Sequence, residues 1–165
     1  MRTVLDPDRS RPDPLVLADR TGVALDSAGV RIDVDDFLAD VAYGCRLYER
    51  GDSAGARSIL VAAQQSYVGE PFDDEPYPDW TAAMREQARS AHLRAHRTLA
   101  YLARAAHAPD EAAAHLLAIL EHDPYDEDAH RTLVAVLSGA GRHGEAMRAR
   151  QRYRDAMVAI GVPPT

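Results

Sequence analysis

Apolar positions recur at strand spacing near the N-terminus and at helical spacing from residue 35 onward. Val30, Ile32 and Val34 alternate with Arg31 and Asp33, the period-two pattern of a half-buried strand. Leu15–Ala18 and Val23–Leu25 are two further strand candidates, punctuated by Gly22 and Gly29. Residues 1–14 are rich in proline and charge and read as linker. Two or three such strands are too little sheet to stand alone. Asp35 then offers an N-cap for a helix carrying Phe37, Val41, Gly44 and Leu47/Tyr48 on one face, ended by Gly51. Ala56, Ile59/Leu60, Ala63 and Tyr67 predict a second helix, and the prolines and acids between 69 and 79 predict a loop. Trp80, Met84, Ala88, Ala91, Ala95, Leu99, Leu102 and Ala106 step by threes and fours, an apolar seam on one helix of nearly 30 residues, about 40–45 Å long. Pro109 opens a fourth helix with Ala112, Leu116 and Ile119/Leu120, stopped by Asp123-Pro124. Ala129, Leu133, Val136/Leu137 and Ala140 mark a fifth, ended by Gly141, and Ala146, Met147, Tyr153, Met157 and Ile160 a sixth.

These helices come in pairs that agree with one another. Aligned on Ala56, Ala112 and Ala146, the pairs place Gly51, His107 and Gly141 five residues earlier, and Gly44, Ala100 and Val134 twelve residues earlier. The last two units lie 34 residues apart, the period of a tetratricopeptide repeat, and Pro124 stands at the junction between them. The first two are separated by the same period plus a 22-residue insertion that covers the acidic loop and the first turns of the long helix. Small residues let two helices approach closely, and the turn glycines let the chain reverse. Each pair leaves an apolar face open, so neighbours must stack. The expected fold is mainly α: a tetratricopeptide-like array of three antiparallel helix pairs over residues 35–162, preceded by linker and short strands over 1–34. His107 in a glycine slot and the bulky Val134 depart from the pattern.

Composition narrows the chemistry. The net charge is −7, which argues against the chain gripping a phosphate backbone by itself. All 19 basic residues are arginine, so Schiff-base and phosphate-loop lysines are absent. Cys45 is the single cysteine, which removes a disulfide framework and a cysteine zinc site, and its apolar helical face makes it a core residue. No apolar run approaches a membrane span and the N-terminus lacks a signal-peptide core, so the expected location is cytoplasmic. His92 and His96 form a helical pair of potential metal ligands, but Leu93 stands where a metalloprotease needs glutamate and no third ligand is in sight. They read as ordinary helix-surface or interface histidines, and His130 as packing against a neighbouring repeat. No catalytic triad, phosphate loop or glycine fingerprint is present, so neither an enzyme nor a bound cofactor or metal is expected. Trp80 reads as a buried anchor for the insertion.

Normal stacking would line a groove with the first helix of each pair. Its positions hold Val41, Cys45 and Tyr48, then Arg94, Arg97, Tyr101 and Arg104, then Asp128, Arg131, Ala135 and Ser138. Tyr48, Arg94, Arg97, Tyr101, Arg104 and Arg131 are thus the partner-binding candidates, since arginine forks and aromatic rings suit an acidic peptide or protein. The competing reading is a solvated face on which these arginines pair with Glu86, Glu111, Glu121 and their neighbours.

Several segments carry a family resemblance. "DDFLADV" at 35–41, "YPDWTAAMREQ" at 77–87, "DPYDEDAHRTLVAVLSGAGRHGEAMRARQRYRDAM" at 123–157 and "GVPP" at 161–164 together resemble the bacterial transcriptional activator domain of Streptomyces antibiotic regulatory protein type regulators. The matching positions are Trp80, Arg85-Glu86, Asp123-Pro124, Ala129-His130-Arg131, Gly141-Arg142 and Glu145-Ala146, and the resemblance covers about residues 33–164. It implies a helical repeat domain working beside a separate winged-helix domain that holds the DNA. Residues 15–34 look like the junction to that domain, and with no helix-turn-helix before residue 35 the chain is expected to be part of a longer regulator. Implied partners are RNA polymerase, other domains of the same regulator, or a second copy in a homodimer, with no membrane. The alternatives are a tetratricopeptide scaffold unrelated to transcription and, further off, a histidine-metal hydrolase.

Overall fold

The computed structural model describes residues 16–18, 22–25, 33–69, 71 and 81–163. The chain divides into two compact units, Met1–Asp36 and Phe37–Thr165. In the first, strands β1 (Val16–Ala18) and β2 (Val23–Leu25) pair antiparallel, with Val16 opposite Leu25 and Ala18 opposite Val23. The expected third strand does not form as drawn: Asp33 and Val34 belong to a helix, and Val30 and Ile32 lie outside the described residues. Asp35 is therefore not the N-cap. It lies inside the first turn with Asp33 and Asp36, where three carboxylates face the positive end of the helix dipole.

Among the described residues six helices follow: α1 (Asp33–Glu49), α2 (Ser53–Ser66), α3 (Ala82–Ala105), α4 (Pro109–His122), α5 (Glu127–Gly139) and α6 (His143–Ala159). Short turns join α1 to α2, α3 to α4 and α5 to α6, giving three antiparallel pairs. Local chemistry starts the helices where they start. The Asp52 carboxylate accepts from the Gly55 amide at 2.9 Å and the Asp126 carboxylate from the Ala129 amide at 2.9 Å, capping α2 and α5. Pro109 occupies the first residue of α4, where its missing N–H costs nothing. The third helix is shorter than its pattern predicts: 24 residues, or about 36 Å. Thr81, fully buried, stands at its N-cap, and Trp80 lies outside the described residues, as do 72–79 of the acidic loop.

All three hairpins turn by the same device. At the first, the Gly51 amide donates to the Tyr48 carbonyl and the Asp52 amide to the Leu47 carbonyl, with Gly51 at φ +84°. This double bond is a Schellman cap and needs a left-handed residue at its second-last position. Gly141 repeats it at φ +74°, and Gly161 repeats it again after α6 at φ +73°. His107 repeats it at φ +54° with a side chain in place, the one non-glycine with positive φ among the described residues. The departure noted in the sequence is thus a strained residue held in a glycine conformation by the hairpin around it.

The alanines that align the repeats sit where the helices touch. Ala56 and Ala112 are fully buried and Ala146 is 6% exposed. At Gly44 a Cβ would lie 2.7 Å from Cγ of the fully buried Leu60, so α1 and α2 approach at a distance only glycine permits. Two apolar clusters result. One joins Phe37, Val41, Ala56, Leu60 and Ala63 to Ala91, Ala95, Leu99 and Leu102; the other joins Leu93, Ala100, Leu116 and Ile119 to Ala129, Leu133, Leu137 and Ala149. Helix α3 serves both, with opposite stripes, so its single predicted seam is an incomplete account. The seam of α6 also differs: Met147 and Ile160 are 72% and 46% exposed, and Ala149, with Ala146, Tyr153 and Met157, forms its buried face.

Two opposite substitutions test the turn and the contact. His107→Gly should stabilise by about 1 kcal/mol by removing left-handed strain. Gly44→Ala should destabilise by about 1–3 kcal/mol through overpacking against Leu60. Urea unfolding should show the midpoints moving apart in those directions with unchanged m-values.

Candidate functional site

The predicted groove residues divide into those the fold uses and those it leaves open. Val41 is fully buried in the first cluster and does not face a groove, because helix α2 packs over it. Cys45 is half-buried, its Sγ 3.7 Å from Thr98 Oγ1. Tyr48 is 40% exposed at the end of α1. On α3, Arg94, Arg97, Tyr101 and Arg104 fall at helical spacing along one face. Arg97 donates to Asp126 at 2.5 Å, and the Asp126 side chain is only 8% exposed. That carboxylate therefore does two things at once: one oxygen caps α5 and the other holds α3 through Arg97. Tyr101 reaches across in the same direction, its hydroxyl 3.3 Å from Asp128, and burial raises its pKa with the Asp128 charge adding to the effect. Arg97 and Tyr101 are consequently an inter-repeat clamp.

Arg94 and Arg104 remain exposed on the same face, and Arg131 on α5 is exposed with Glu127 at 3.9 Å. The acids that engage these groups are Asp126, Asp128 and Glu127, not the Glu86, Glu111 and Glu121 of the pairing pattern. Glu111 instead takes Arg57 at 2.7 Å, and Arg142 donates to Asp110 and to Glu145, each at 2.6 Å. Arg57 and Arg142 thereby tie α2 and α6 to α4 at the residues flanking the buried alanines. His130 does not simply lean on a neighbouring repeat. Its Nε2 lies 2.9 Å from the Pro124 carbonyl, which can only accept, so this nitrogen carries the proton and the ring pins the Asp123-Pro124 turn.

The structure adds two members to the histidine pair. His92 and His96 on α3 meet His122 and His115 on α4, with ring centroids 4.8 Å apart for His92–His122 and 5.1 Å for His96–His115. The Nδ1 atoms of His96 and His115 are 3.0 Å apart, so one donates and the other accepts. Tyr67 stacks on His92 at 4.3 Å, and Phe37 lies against Tyr67. Burial, aided by the His122 charge, pushes the His92 pKa down to about 4. Burial likewise takes His96 down to about 3, helped by His92, His115 and His122. His115 is lowered by burial against an opposing pull from Glu111. His92, His96 and His115 are thus held neutral in a packed seam of the α3–α4 hairpin. Among the described residues no three His, Cys, Asp or Glu side chains are arranged to hold a metal ion. The signal for His115 and His122 was present in the sequence: both lie on the α4 face that folds back across the turn onto His96 and His92.

The family described as the bacterial transcriptional activator domain matches residues 32–165. Among solved structures, the C-terminal tetratricopeptide-containing domain of a Plasmodium falciparum FK506-binding protein is similar, with a TM-score of 0.58 at 13% identity, covering 78% of this chain and 90% of that one. At that identity the likeness concerns the fold. No curated protein matches the sequence.

Two measurements check the roles assigned here. Asp126→Ala removes a cap and a clamp together and should cost about 1–2 kcal/mol more than Arg97→Ala, whose half-exposed side chain serves the clamp alone. His92 and His96 set a pH dependence. Their folded pKa values lie below the 6.5 of a free imidazole, so the unfolded chain binds more protons throughout the window from 6.5 down to about 4 and 3. Stability is complete above that window and falls as acid is added, by up to about 1.4 kcal/mol per pH unit for each proton. Urea midpoints taken between about pH 7 and 5.5 should fall more steeply for the native chain than for His96→Phe.

Proposed function

The chain belongs to the bacterial transcriptional activator domain family, and on that premise we propose that it is the protein–protein docking module of a transcriptional regulator. Its partners are RNA polymerase, other domains of the same regulator, or a second copy in a homodimer. Promoter DNA is held by a separate domain, and the work is done in the cytoplasm. The mechanism is binding rather than catalysis: occupancy of a promoter becomes recruitment, or a defined geometry between bound copies.

The observation that carries this reading is the family match over a stacked helical array whose α3 face keeps Arg94 and Arg104 in solvent while Arg97 and Tyr101 are engaged within the fold. Exposed guanidinium groups beside a tyrosine suit acidic protein surfaces, and the overall charge of −7 disfavours direct capture of a duplex. No helix among the described residues is long and apolar enough to cross a membrane. A tetratricopeptide scaffold outside transcription would share the fold, and the similar Plasmodium domain supports the fold in common without favouring that role.

A bacterial two-hybrid assay against polymerase subunits and the regulator's remaining domains tests the proposal. The native chain should give a signal that Arg94→Glu/Arg104→Glu reduces by about ten-fold, as expected for charge reversal at a contact. Duplex DNA at moderate salt should show no sequence-dependent shift. A clean shift, or no partner among those components, would overturn the reading.

A further inference from the structure

The 34-residue repeat sets a filled cleft beside an open one. Between the second and third pairs, Arg97, Ala100 and Tyr101 of α3 with Leu116 and Ile119 of α4 form a slot. The first turns of α5 fill it with Asp128, Ala129 and Thr132, leaving a residual volume of only about 10 Å³. Moving each wall residue on by one repeat gives Arg131, Val134, Ala135, Arg150 and Tyr153. All five line an open cleft of about 610 Å³ on α5 and α6, together with Ser138 and Arg154. The two clefts are the same architectural position, and at the last pair no described residue plays the part of α5.

The side chains at that position have changed in a directed way. Arg131 stands where Arg97 grips Asp126. Leu116 and the partly buried Leu120 become Arg150 and Arg154, and neither arginine forms an ion pair with a described residue. Among the described residues no carboxylate lines the open cleft; Glu127, at its edge through Arg131 at 3.9 Å, accepts from the buried Tyr153 hydroxyl at 2.8 Å. The outer stripe of α6 supports the comparison independently. Ala113 is buried by the following pair, whereas its repeat equivalent Met147 is 72% exposed, and Val158 is 69% exposed further along the same stripe. An apolar stripe interrupted by two arginines that pair with no described residue is a face built to be covered.

We propose that this terminal slot docks the N-terminal turns of an amphipathic helix from a partner protein, a helix that opens with carboxylates in the register of Asp126 and Asp128 and continues with a small residue in the place of Ala129. The filled slot supplies the template: a guanidinium receives the cap carboxylate, and small side chains let the helix sit close against the walls. The added arginines demand more negative charge than α5 carries, which gives the slot a preference for acidic partners. The slot uses Arg150 and Arg154 of α6, outside the α3 face treated above, so the two surfaces are separable.

The test uses the full chain and two labelled 18-residue alanine-rich helical peptides of identical composition. One carries Asp-x-Asp-Ala in its first turn and further glutamates in the second; the other carries the same acids in its last two turns. Fluorescence anisotropy should show the first peptide binding about ten-fold more tightly than the second. Arg150→Glu/Arg154→Glu should remove that preference, and so should Ala135→Trp, which blocks the slot without touching charge. Arg94→Glu/Arg104→Glu should leave it intact, whatever that variant does to polymerase contacts. All four substituted positions in the slot and face variants are solvent-exposed, as is Ala135, and circular dichroism checks that each variant is folded. Equal binding of both peptides, indifference to the slot variants, or displacement of the peptide by inorganic phosphate as effectively as by unlabelled peptide would overturn the proposal. So would concentration-dependent self-association that the slot variants abolish, since a second copy would then be the occupant.

Discussion

The structure depends on helices approaching closely enough for backbone to meet side chain. Gly44 packs against Leu60, where even one added methyl group would clash, and the aligned Ala56, Ala112 and Ala146 are all buried. Dispersion and apolar burial both reward this closeness, but only while the interface carries no bulk. Everything larger is moved off the contact line. The leucines lie in layers beside it, the histidines stack along the α3–α4 seam, and the arginines reach around the edges to carboxylates on the next pair.

Charge then fixes how one pair sits on the next. Asp126 ends the free travel of α3 and begins α5 with a single carboxylate. Arg57, next to Ala56, and Arg142, at the N-cap of α6, do the corresponding work on the second helices. Exposed pairs contribute little energy individually, and their value here is in setting register. The buried one, Asp126, is different: it is nearly inaccessible and satisfied from two sides, so losing either partner leaves the other polar group in poor surroundings.

Much of this could be read from the amino acids, for identifiable reasons. The hairpins followed from turn residues and three- and four-residue spacing, because a Schellman turn and a buried stripe leave local marks. The equivalence of His107 with two glycines was visible from alignment alone, and the backbone conformation explains it. What was not visible was long-range. The spacing on α3 revealed one stripe, yet the helix has two, because the second consists of Leu93, Ala100 and neighbours whose partners are on α5. Val41 was assigned to a groove because it sits on a first helix; which face α2 covers is a property of the pair. Arg97 carried the chemistry of a ligand contact and is largely engaged by Asp126, since sequence alone cannot say which charges the stacking brings within reach. His115 and His122 differ from these: their seven-residue spacing puts both on one face of α4, and only their meeting with His96 and His92 depends on how the hairpin closes.

Helix α3 has a mechanical consequence. Because it contributes opposite stripes to both apolar clusters, no plane through Phe37–Thr165 separates the middle pair cleanly from either neighbour. Shear between the last two pairs therefore loads the same helix that Leu60 packs beside through Leu99, so the two clusters share one strut.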